Sequence, residues 1–89
     1  MTTLFVRHKV ADYANWKRAY DAFDATRKEF GVTGDSVYRD ADDSRTVIVT
    51  HTFKDTSAAK AFVSSEDLKS TMEQAGVAER PEMWFGENN

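Results

Sequence analysis

The stretch Thr46-Val47-Ile48-Val49-Thr50-His51-Thr52-Phe53 is β-branched almost throughout, the composition of a strand. Its alternation puts Val47, Val49, His51 and Phe53 on one face and Thr46, Ile48, Thr50 and Thr52 on the other. Towards the N-terminus, Ala41-Asp42-Asp43-Ser44 reads as a turn, and Gly34–Asp40 as a strand around Val37-Tyr38. Towards the C-terminus, Asp55 is a helix N-cap, followed by a short helix carrying Ala58, Ala59, Phe62 and Val63. Ser64 or Ser65 breaks that helix and caps a second segment with Leu68, Met72 and Ala75, ended by Gly76. Pro81 opens a last strand, Glu82–Glu87, where it removes only a terminal hydrogen-bond donor.

The first third of the chain completes the pattern. Leu4–Val10 reads as a strand with Leu4, Val6, His8 and Val10 on one face, and Phe5, Arg7 and Lys9 on the other. Asp12 caps a long helix predicted over Tyr13–Phe30, along which Trp16, Ala19, Tyr20, Phe23, Arg27 and Phe30 form one stripe. Arg27 and Lys28 fall in its last turn, suited to the helix dipole, and Gly31 stops it. The order is β-α-β-β-α-β, which predicts a ferredoxin-like α+β fold with an antiparallel sheet and helices on one face.

At 89 residues the chain has room for a single domain, 1–89. A chain of this size buries only roughly 60–65% of its unfolded surface. It has no Cys, so neither disulfides nor thiolate metal sites supplement the core, and oligomerisation is the remaining common route. The helix-free face carries Phe5 and Ile48 among polar residues, which predicts a homodimer through that face. The net charge of −3 and the scattered basic residues argue against nucleic acid as partner. The apolar run Leu4-Phe5-Val6 ends at Arg7, too soon for a signal peptide, and runs such as Val47-Ile48-Val49 are too short for a membrane span. These features together predict a cytoplasmic protein.

The segments Phe5-Val6-Arg7-His8-Lys9-Val10, Asp12-Tyr13-Ala14-Asn15-Trp16-Lys17, Phe53-Lys54-Asp55, Ala61-Phe62 and Glu82-Met83-Trp84-Phe85 resemble the dimeric α+β barrel proteins. Nearest among these are the small antibiotic biosynthesis monooxygenase-like proteins. The resemblance implies two sheets packed face to face as a dimer, and a pocket between helices and sheet in each subunit. It implies a cofactor-independent monooxygenase acting on quinol or polyketide-like aromatics, although many such proteins have no known activity. The haem-cleaving members use an Asn, a Trp and a helix-borne His. Here both His fall on strands and the first strand has no Asn, so Asn15 and Trp84 do not rebuild that set.

His8 and His51 are the imidazoles of the chain, both on the helix-facing side of their strands, and are the candidate catalytic bases. The alternative for each is a core His satisfied by a structural partner. Trp16, Tyr20, Tyr38, Phe53 and Trp84 are the candidate substrate-binding residues, able to sandwich a planar ring; core packing is the competing role. His8 and His51 belong near opposite ends of one strand ladder, on the order of 10 Å or more apart, too far to share a metal. Asp40–Arg45 resembles a calcium loop but has Arg45 where Gly is needed and His51 where Glu is needed, so it reads as an exposed turn. No phosphate loop, dinucleotide fingerprint or Ser-His-Asp order is present, and the expectation is no metal and no cofactor. The competing functional reading is a non-catalytic ligand-binding or stress-associated dimer.

Overall fold

Four strands and four helices follow one another in the computed structural model, which describes residues 1–74, 76 and 81–87. They are β1 (Thr2–Lys9), α1 (Tyr13–Ala22), α2 (Asp24–Glu29), β2 (Val32–Arg39), β3 (Thr46–Phe53), α3 (Thr56–Val63), α4 (Glu66–Gln74) and β4 (Glu82–Glu87). The strands form one antiparallel sheet in the order β2-β3-β1-β4. This is the expected ferredoxin-like order, with each helical crossover split in two. Ala75, expected in the second segment, lies outside the described residues.

The caps form where the sequence places them. Asp12 Oδ1 accepts from Ala14 N at 3.1 Å, and Asp55 Oδ1 from Ala58 N at 2.8 Å. Ser65 Oγ donates to Phe62 O at 2.7 Å and accepts from Leu68 N at 3.1 Å, so it closes α3 and opens α4. The helix expected over Tyr13–Phe30 is instead two helices. At Phe23 (φ −86, ψ 0) the amide is shared between Ala19 O and Tyr20 O, both at 3.2 Å, which tightens one turn and re-aims α2. No Pro or Gly marks that break. Gly31, with φ +97, ends α2 in a conformation that favours glycine.

Register fixes what each face carries. Leu4 lies opposite His51, Val6 opposite Val49 and His8 opposite Val47. These side chains join Val10, Trp16, Phe53, Ala59 and Phe62 in the core under the helices. Phe62 is its hub: the rings of Phe30, His51 and Phe53 lie 5.5–5.6 Å from it, centroid to centroid. On the other face Phe5 lies opposite Trp84, and their rings stack at 5.6 Å with 6° between planes. Tyr38 and Trp84 are 57% and 46% exposed there. Ion pairs flank them, Arg7 with Glu82 at 3.3 Å and with Asp40 at 3.5 Å.

Candidate functional site

A cavity of about 50 Å³ lies between the sheet and α1, α3 and α4. Its floor is Val6 and His8 of β1 with Val49 and His51 of β3. Trp16 and Tyr20 descend from α1, Phe23 from the turn that joins it to α2, Arg27 from α2 and Phe62 from α3. Leu68, Thr71 and Met72, at helical spacing on α4, close the outer side. The expected candidates His8, His51, Trp16 and Tyr20 are thus brought together by strand parity and by one helical turn.

Their rings form a continuous file. His8 meets Trp16 edge-on at 5.6 Å, Trp16 stacks on Tyr20 at 4.9 Å, and Tyr20 stacks on His51 at 5.9 Å. The Tyr20 hydroxyl and His51 Nε2 are hydrogen-bonded at 3.0 Å. Among the described residues, His51 Nδ1 and both ring nitrogens of His8 are buried without a hydrogen-bond partner. While the cavity is empty, burial keeps an imidazole so placed neutral, because the charged form would lose its hydration. Burial accordingly lowers His8 from 6.5 to about 4. It lowers His51 to about 4 as well, with the Arg27 charge adding to the effect. Burial pushes the Tyr20 phenol above its usual range, so it too is neutral.

Arg27 is the residue the sequence reading did not single out for the site. Its side chain is 4% exposed, yet it is a cation. The guanidinium lies 3.7 Å over the Tyr20 ring, donates to the Tyr20 carbonyl, and pairs with Asp24 Oδ1 at 3.2 Å. The signal was present: Arg27 falls on the apolar stripe of the helix, where a charge facing solvent would not.

Other candidates stand elsewhere. Trp84 and Tyr38 belong to the opposite face of the sheet, paired with Phe5 and Ile48, and do not line the cavity. Phe53 is on the expected face and fully buried, but it packs on Phe62 beyond the cavity wall. His8 and His51 are separated by four ladder positions, on the order of 13 Å, as expected. In the Asp40–Arg45 turn, Asp40 and Asp43 accept from the amides of Asp42 and Arg45 at 2.8 and 3.0 Å, the bonding of an exposed turn. Among the described residues no three His, Asp or Glu side chains converge on a metal position.

No family model and no curated protein matches the sequence. Solved structures do. A candidate antibiotic biosynthesis monooxygenase of Bordetella bronchiseptica superposes with a TM-score of 0.84 at 12% identity, over 99% of this chain and 96% of that one. One of Caulobacter crescentus gives 0.80 at 15% identity, over 99% and 89%. A variant of SnoaB, a cofactor-independent oxygenase from Streptomyces nogalater, gives 0.77 at 13% identity, over 98% and 91%. The chain therefore has the ferredoxin-like α+β fold of the antibiotic biosynthesis monooxygenase-like structures and resembles them over nearly its whole length.

Proposed function

We propose that the protein is a small homodimer that binds an electron-rich aromatic molecule, a quinol or polyketide-like phenol, and oxidises it with dioxygen without a cofactor. The observation that supports this is the convergence of two neutral imidazoles, an indole and a phenol on one cavity. Trp16 and Tyr20, stacked on each other, would line one side of the ring, and a His8 nitrogen would accept its hydroxyl proton. The oxyanion left behind gives an electron to dioxygen more readily than the neutral phenol does. The superoxide formed adds to the ring radical, the peroxide takes back the proton held by His8, and loss of water leaves one oxygen atom on the ring as a quinone carbonyl. His51, held by Tyr20, would orient the ring's other polar group. Phe53 would support this wall from behind. Trp84 and Tyr38 would serve the helix-free face, where a second copy packs on the Phe5–Trp84 stack. The absence of Cys and of any helix, among the described residues, long and apolar enough to cross a membrane agrees with a cytoplasmic setting.

The test is oxygen uptake over a panel of quinols and aromatic polyketides, for the wild type and His8→Gln. A proton acceptor contributes ~10²–10⁴ in rate, so the variant should lose at least about a hundredfold while keeping its fold. A turned-over substrate whose rate ignores both His8→Gln and His51→Gln would remove the role.

The non-catalytic reading has a specific observation in its favour. A cavity of about 50 Å³ is smaller than the engineered cavity of roughly 150 Å³ that admits benzene. A ring enters only if α4 shifts or the flexible Met72 side chain swings aside. Binding of aromatics without oxygen uptake would favour this second reading.

A further inference from the structure

We propose that the cavity takes its aromatic ligand as an anion, a phenolate or an aromatic carboxylate, held by the buried guanidinium of Arg27. This rests on the reading of the cavity as an aromatic-binding site and names the charge state it selects. Arg27 lines the cavity wall with a side chain 4% exposed. Among the described residues its Nε makes no hydrogen bond, and its partner there is a long ion pair, Asp35 Oδ2 at 3.6 Å. The two acids beside it are poor counter-ions. Asp24 and Asp35 are 45% and 38% exposed, so water screens them, and Asp24 is shared with Lys28 at 3.0 Å. Arg27 is the charge that lines the cavity, and Asp21, Asp24 and Asp35 oppose its field from outside the wall.

The groups facing the cavity from the other elements do not oppose that field. The sheet contributes His8 and His51, both neutral, and α1 contributes Trp16 and a neutral Tyr20. From α4 come Leu68, Thr71 and Met72, none of them charged. The Arg27 charge reaches this interior: at His51 it opposes protonation, and it outweighs Asp35, which favours it. The same field favours a negative charge on a bound ring, against the burial that keeps Tyr20 neutral. It also eases a chemical difficulty. An imidazole that titrates near 4 is a weak base for a phenol of ordinary acidity, near 10, and a cation beside the nascent oxyanion narrows that gap.

The probe is para-nitrophenol, whose ionisation is read from its colour, with para-nitroanisole as an analogue that cannot ionise. The apparent pKa of bound para-nitrophenol should fall by roughly 1–2 units relative to free solution. Arg27→Met should abolish the fall. Asp35→Asn, at a half-exposed strand position, should deepen it and tests the field without touching the guanidinium. A bound pKa equal to or above the free value overturns the proposal even if Arg27→Met fails to fold. If para-nitroanisole binds and para-nitrophenol binds only as the neutral phenol, the anion preference falls while the aromatic site stands. If neither probe binds, both readings fall together.

Discussion

Two imidazoles buried as neutral bases make the stability of this fold depend on pH, and the size of the effect can be worked out. Each should titrate near 6.5 in the unfolded chain and near 4 in the folded one, a gap of about 2.5 units. At about 1.4 kcal/mol per unit, each His therefore withdraws up to about 3 kcal/mol of stability on acidification. The sign follows from which state binds protons. Above pH 6.5 neither state is protonated and there is no penalty. Between 6.5 and about 4 the unfolded chain takes up protons that the folded one refuses, so stability falls with pH, and below about 4 the penalty levels off. Two residues together approach about 6–7 kcal/mol, against a total of roughly 5–15 kcal/mol for a native domain. The protein should be near its unfolding limit at pH 4. Urea titrations at fixed protein concentration, between pH 7 and pH 5, provide the assay. That window lies above the range where Asp24, Asp43 and Glu87, all held low by hydrogen bonds, begin to lose their own contribution. The wild type should lose up to about 2.7 kcal/mol per pH unit at the steepest part, and His8→Leu, which orphans no partner, about half as much. A wild-type slope near zero, or one unchanged in His8→Leu, would refute the claim that these imidazoles are buried neutral.

Three further outcomes are expected. Trp84→Arg, on the helix-free face, should weaken self-association by at least about 2 kcal/mol, roughly thirtyfold, in sedimentation experiments at micromolar concentration; a wild type that sediments as a monomer would end the dimer proposal. Phe62→Ala, which empties the hub between Phe30, His51 and Phe53, should cost about 3–5 kcal/mol in chemical denaturation, and a cost below about 1 kcal/mol would show the hub to be loosely packed. Asp55→Ala removes the cap of α3 and should lower stability by about 1 kcal/mol; no change would mean that the amide of Ala58 finds another partner at no cost.

Much of the fold and half of the site were legible because they depend on periodicity alone. In β1 and β3 the apolar residues are distributed unevenly between the two faces, so His8 and His51 could be assigned to the helix side. Trp16 and Tyr20, one turn apart, followed from the helical stripe. Trp84 escaped the same arithmetic because Met83, Trp84 and Phe85 are all apolar, and a strand apolar on both faces has no readable parity. Val37 and Tyr38 pose the same ambiguity. The break at Phe23 escaped because a shared amide in a tightened turn needs no special residue. Arg27 lies on the apolar stripe and also suits the helix dipole in the last turn; only packing shows that α2, re-aimed at Phe23, carries its guanidinium under cover.

The placement of the two indoles gives the molecule separate optical reporters for its two faces. Trp16 is buried and edge-on to the imidazole of His8, whereas Trp84 is half-exposed and stacked on Phe5. Emission from Trp16 should follow ligand entry and the protonation of His8, since a ring or a new charge would arrive against the indole. Emission from Trp84 should follow the drying of the helix-free face if a second copy covers it, as proposed. Trp16→Phe and Trp84→Phe would each silence one channel, so occupancy of the cavity and association of subunits can be followed in one sample without a label.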